Sequence, residues 1–184
     1  MKFTTDRQQG VVLLMDIPQD VHDYCPSAED VMMYSGWNAS EHLKTGADPQ
    51  VQKTAHVYRN GIGWEDRSVF PRNFIQWVDS VGCNQISLFG SMGADAASHG
   101  LPWHIDQYWV YSWNIEGETT WEYFDMLAGE LKTLELGEMD KMVMMPVGTP
   151  HRVLIRSEDR TSISIVRNGS KDGLDHDFRQ QDVD

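Results

Sequence analysis

The spacing of apolar and polar positions changes near residue 83 of this 184-residue chain. Before that point the recurrences are mostly helical. In "FPRNFIQWVDSVG", Phe74, Trp77, Val78 and Val81 fall at i, i+3, i+4 and i+7, one face of a helix. Ser27 stands where an N-cap would open a short helix running through Trp37. Asp48-Pro49 reads as the N-cap and first residue of another helix, with Asn60-Gly61 as its stop. "GVVLLMDI" is the exception, an apolar run of strand length. After residue 83 the texture becomes β. The candidate strands are "NQISLFG", "HIDQYWVYSWNI", "TTWEYFDML", "LKTLEL", "KMVMMP", "HRVLIRS" and "TSISIVR". Turn chemistry separates them at Glu116-Gly117, Gly137-Glu138, Pro146 to Pro150 and Ser157 to Asp159.

Many short strands at this spacing predict a sandwich, a jelly roll or a small barrel. The chain is long enough for a single domain over residues 1–184 with a real core. We divide it into a mixed helical elaboration over 1–85, a β core over 86–167 and a polar tail over 168–184. His176 in that tail is most simply a solvated residue.

Composition narrows the partners. Hydrophobic residues make up 40% of the chain and there are seven tryptophans, as expected of a folded globule. The formal net charge of −13 argues against nucleic acid, whose phosphates need clustered Lys and Arg. The longest apolar run near the start, Val11 to Met15, is too short for a signal-peptide core or a membrane span. Two cysteines, Cys25 and Cys83, make neither a disulfide framework nor a zinc knuckle. A reducing cytoplasm is the expected setting.

The chemistry concentrates in "HGLPWHIDQYWVYSWNIEGETTW" and "MMPVGTPHRVLI". On a strand, residues i and i+2 share a face, so His104 and Asp106 are expected to project together. Tyr108, Val110, Ser112 and Asn114 continue that parity. Downstream, Pro146, Gly148 and Pro150 form a tight turn that delivers His151 to the head of the next strand. Two neutral imidazoles and one carboxylate can hold an iron(II) ion on one side, leaving the opposite side open to a co-substrate and O2.

These motifs resemble a known family. "PVGTPH" matches the second cupin motif, Pro-x-Gly-x-x-His, and "HID" followed by Gly117 matches the first in its His-x-Asp form. Over roughly residues 98 to 167 the pattern resembles the JmjC-type 2-oxoglutarate- and iron(II)-dependent oxygenases, and among them the bacterial ribosomal-protein hydroxylases. The resemblance implies a double-stranded β-helix with N-terminal helices on one outer face. It implies His104, Asp106 and His151 as metal ligands. It also implies that 2-oxoglutarate is decarboxylated to succinate while a C–H bond is hydroxylated, in a protein side chain or a small metabolite.

The chain departs from that family where the co-substrate would be gripped. The JmjC-type Lys or Arg two residues beyond the motif glycine is here Thr119, a hydroxyl without charge. Nine residues after His151 stands Arg160, with Ser162 on the same strand face. Arg-x-Ser at that place resembles the co-substrate clamp of other iron(II) oxygenases, and arginine offers a carboxylate a bidentate fork. We expect Arg160 to hold the distal carboxylate, with Ser162 or Thr119 donating a further hydrogen bond and Arg167 as a second candidate. Tyr108 shares the ligands' parity and joins the co-substrate set. Trp103, Trp121 and Tyr123 read as pocket lining or plain core, and His99 as a substrate contact or a solvated loop residue. Two further readings stay open: a metal cupin that does not use 2-oxoglutarate, and a non-catalytic ligand-binding cupin. A homodimer through exposed sheet edges is compatible with each.

Overall fold

In the computed structural model, the described residues are 11–33, the backbone of 52–58, and 70–83, 85–92 and 100–167. Ten strands and three helices occur among them, in the order β1 (Leu13–Asp16), α1 (Gln19–Tyr24), α2 (Ala28–Met32), β2 (Gln52–Tyr58), α3 (Arg72–Ser80), β3 (Gln85–Ser91), β4 (His104–Ile105), β5 (Trp109–Glu116), β6 (Thr119–Asp125), β7 (Glu130–Leu136), β8 (Lys141–Met145), β9 (Pro150–Ile155) and β10 (Arg160–Arg167). They form a six-stranded sheet, β1-β8-β5-β10-β3-β2, facing a four-stranded sheet, β4-β9-β6-β7. Neighbouring strands are antiparallel, and from β3 onward the chain crosses between the sheets at every connection except the β6–β7 hairpin. This is the expected double-stranded β-helix, a cupin or jelly-roll barrel.

Strand alternation builds two cores from one sheet. The inward residues Val110, Val143, Met145 and Val166 of the large sheet meet Trp121, Tyr123, Leu136 and Val153 of the small one. The outward residues Tyr111, Trp113, Ile86, Leu88, Ile163 and Ile165 are buried against the helices. Phe74, Trp77 and Val78 supply the α3 side of that second core, as their helical spacing predicts. Trp113 stands edge-on to both Phe74 and Trp77, at centroid separations of 6.3 Å from each. The helices thus cover a sheet face too apolar to leave in water.

Ser27 caps α2 as expected. It accepts from the Asp30 backbone N–H at 3.1 Å, and Asp30 closes a capping box. The helix ends at Met32, and the stretch expected to continue to Trp37 lies beyond residue 33, outside the described residues. So do His99, His176 and the tail over 168–184.

Two elements differ from the sequence reading. The helix expected between Pro49 and Asn60 is instead strand β2, paired along its length with β3 from Gln52↔Ser91 to Tyr58↔Gln85. Without it the β3 edge would present a row of unpaired backbone groups, and tertiary pairing of this kind overrides local helix signals. The single strand expected from His104 to Ile115 is broken. β4 holds only His104 and Ile105 and belongs to the small sheet, whereas β5 belongs to the large one. Residues 106–108 carry the chain across.

Candidate metal centre

The β8–β9 turn sets the first candidate ligand. Gly148 adopts φ +76°, a left-handed conformation that a side chain would strain. Its N–H donates to the Asp106 carbonyl at 2.9 Å, binding this turn to the crossing segment. The chain then enters β9, where His151 faces His104 across the β4–β9 ladder. The imidazole rings lie 4.2 Å apart between centroids. Asp106, at the start of the crossing, places Oδ2 3.6 Å from His151 Nε2. One ligand atom from each of His104, Asp106 and His151 lies within 4.8 Å of the others.

Each histidine is oriented from behind. His104 Nδ1 lies 2.7 Å from the Pro102 carbonyl oxygen, and His151 Nδ1 lies 2.9 Å from that of Thr149. A carbonyl only accepts, so each Nδ1 carries a proton, and in the neutral ring that leaves Nε2 with its lone pair. Such bonds fix the tautomer and ring plane of metal-binding histidines. Trp121 stacks on His151 at 5.5 Å and 16°, closing one side of the ring. Burial pushes His151 down to about 4, helped by His104 nearby and opposed by Asp106 and the Thr149 hydrogen bond. It is therefore neutral at physiological pH. The donor set fits a divalent transition metal, with two neutral nitrogens, one carboxylate and bonds of roughly 2 Å within reach of small adjustments.

The residues expected to grip a co-substrate occupy the inner wall farther down the barrel. Arg160 is buried, its guanidinium 5.8 Å from the Phe89 ring centroid and its Nη1 3.4 Å from Ser162 Oγ. Burial pushes that guanidinium down to about 9. The Ser162 hydroxyl donates to Asn114 Oδ1 at 2.7 Å, and Asn114 Nδ2 donates to Thr119 Oγ1 at 3.1 Å and to the Leu136 carbonyl at 2.8 Å. Arg160, Ser162 and Thr119 thus meet in one network that bridges the two sheets. Asn114 is its hub, and in the sequence it shows only as a polar residue on a strand rich in aromatics. Ser112 and Ser164 extend the polar wall, bonded to each other at 2.8 Å.

The remaining candidates separate. Arg167 lies on the opposite parity of β10 from Arg160 and Ser162, beside Gly82 and Cys83, and is not brought to this network. Tyr108 sits in the crossing segment and packs on the inner cluster. Trp121 and Tyr123 belong to that cluster, whereas Trp103 lies beneath the Arg152 guanidinium.

No protein-family model matches the chain. No curated protein matches it either. Among solved structures it is similar to a Lactobacillus farciminis oxalate decarboxylase in a formate complex, at 9% identity and TM-score 0.45 over 66% of this chain and 30% of that one. It is also similar to a variant of Bacillus subtilis oxalate decarboxylase, at 13% and 0.46 over 68% and 27%. Procruciferin, an 11S globulin of Brassica napus, matches at 11% and 0.45 over 69% and 29%. The chain therefore spans less than a third of each of these three proteins. Likeness at this level says nothing of ligand or substrate.

Proposed function

We propose that the protein is a mononuclear metal-dependent cupin enzyme and, more finely, an iron(II)- and 2-oxoglutarate-dependent oxygenase. The observation that carries the reading is the convergence of His104, Asp106 and His151, with both histidine Nδ1 atoms tied to backbone carbonyls. Bound iron(II) supplies the activation of O2 by which 2-oxoglutarate becomes succinate and CO2 while a C–H bond of the substrate becomes C–OH.

The chain's own residues divide the remaining work. His104, Asp106 and His151 hold the ion from one side. Trp121 shields the His151 ring. Arg160 meets the distal carboxylate of the co-substrate, and Ser162, held by Asn114, keeps a polar surface beside it. The spacing supports an extended diacid. Tyr123 pairs with His151 and Thr119 with Ile155, so the Asn114–Thr119 bond lies four residues, about 13 Å, along the small sheet from the metal ligands. The long Arg160 side chain covers part of that distance.

A second reading, a metal cupin that does not use 2-oxoglutarate, has one observation in its favour. The Thr119 hydroxyl is engaged with Asn114, and this strand position carries no cation. Anaerobic addition of iron(II) and then 2-oxoglutarate separates the two. The oxygenase reading expects saturable co-substrate binding with a visible charge-transfer band, and succinate on admission of air. Metal uptake without either response leaves the second reading.

A further inference from the structure

His104 stands on a short support. β4 pairs with β9 only at His104↔His151 and Ile105↔Pro150, and Pro150 has no N–H to continue the ladder. The preceding segment is laid closely along β9. Val153 N–H donates to the Leu101 carbonyl at 3.2 Å, and a Cβ on Gly100 would sit 1.7 Å from the Val153 carbonyl oxygen. The acceptor that orients His104 belongs to this same segment. It is the Pro102 carbonyl, 2.7 Å from Nδ1. That carbonyl lies in the peptide unit joining Pro102 to Trp103, a planar group that turns as one body.

Something holds Trp103. The Arg152 guanidinium carbon lies 5.3 Å from the Trp103 ring centroid. Arg152 is the residue after His151 and alternates with it, so its side chain leaves the outer face of the small sheet. Its Nε donates to the carboxylate of Glu122, the residue opposite it on β6. A cation on an indole face and a charge-assisted hydrogen bond together link β6, β9 and the segment before β4.

We infer that Arg152, through Trp103, holds the Pro102 carbonyl that orients His104. Arg152 is thus a positioning residue, anchored by Glu122, that acts on the metal centre from outside the barrel. The inference rests on the metal reading for its consequence but not for its geometry. Releasing Trp103 frees the Pro102–Trp103 peptide to rotate, and His104 loses the acceptor that selects its tautomer.

The test has one readout without metal and one with it. Long-range proton–nitrogen NMR of the metal-free protein reports the His104 tautomer. Chelator competition with cobalt(II), followed through its visible ligand-field bands, reports affinity and ligand geometry. In the wild type the neutral His104 ring should carry its proton on Nδ1. Arg152→Met should produce a tautomer mixture, altered cobalt bands and about ten-fold weaker binding, the usual scale for loss of an outer partner of a metal ligand. Arg152→Lys keeps a cation over the indole and should recover most of both signals. Lys141→Met removes a remote surface ion pair with Asp16 and should change neither. If Arg152→Met does not fold, Glu122→Gln carries the test, with a smaller shift in the same direction. An unchanged His104 tautomer in folded Arg152→Met, or in Glu122→Gln where that variant stands in, overturns the inference. A wild type that shifts tautomer as expected on mutation yet takes up no cobalt(II) would leave the clamp standing and overturn the metal centre.

Discussion

A single charged side chain decides the finer reading of this site. Arg160 is buried beside Ser162 and Phe89, where a carboxylate would meet a guanidinium largely removed from water. Truncating one partner of such a contact costs roughly 2–5 kcal/mol. We expect Arg160→Ala to weaken 2-oxoglutarate by about 30-fold or more, with metal affinity nearly intact. Arg160→Lys should restore only part of it, because lysine keeps the charge and loses the fork. Arg167→Ala should bind like the wild type, since Arg167 faces Cys83 on the other side of β10. Anaerobic titration of the three variants checks the set, and a loss confined to Arg167→Ala would move the grip to that residue.

His151 gives the metal-free protein a pH signature. Its folded value is about 4 against an ordinary 6.5, because burial disfavours the cation. As pH falls from 6.5, the unfolded chain takes the proton before the folded chain does. Stability from this group is therefore full above that range and declines as pH drops towards 4, by up to about 3 kcal/mol. With a chelator present, urea unfolding of the wild type should weaken over that window. His151→Gln should show a shallower decline, and an equal slope would place the titration elsewhere.

Among the elements, α3 has a purely structural task. Phe74 is fully buried between Phe70, Trp77 and Trp113 on the outer face of the large sheet. Phe74→Ala should cost about 3–5 kcal/mol of unfolding free energy. Cobalt(II) affinity of the folded fraction should stay within error of the wild type, because the proposed ligands lie on the small sheet and the crossing segment. A metal defect larger than the stability defect would show that the helices reach the site. The spacing of Phe74, Trp77, Val78 and Val81 marks α3 because a helix buries one stripe whatever it packs on. β2 has no such independence. Its pairing with β3 is a long-range fact, and Pro49 and Gly61 at its flanks mimic helix punctuation. The crossing between β4 and β5 was equally hidden. Asp106 and Gln107 occupy it, but one polar pair inside a run otherwise rich in aromatics also fits a single continuous strand.

For the molecule as a whole, the β core was legible because each strand alternates and each turn carries its own residues. Inside the barrel, Arg160, Ser162 and Thr119 were legible as a polar set, but the Asn114 hub that joins them was not, because it depends on which strands face one another. Pairing Thr119 with Ile155, and Ser162 with Asn114, turns scattered polar residues into one network. The outer partners of the histidines are backbone carbonyls of Pro102 and Thr149, which no residue identity announces. No helix among the described residues is long and apolar enough to cross a membrane.

We propose that three side chains drawn from β4, the crossing segment and β9 make one metal centre. Anaerobic titration of metal-free protein with iron(II), with bound metal quantified after gel filtration, tests it most directly. The wild type should retain about one ion per chain, and His104→Ala, Asp106→Ala and His151→Ala should each lose most of it, since each removes one of three protein ligands. Retention of a full equivalent by all three variants, or none by the folded wild type, would contradict it.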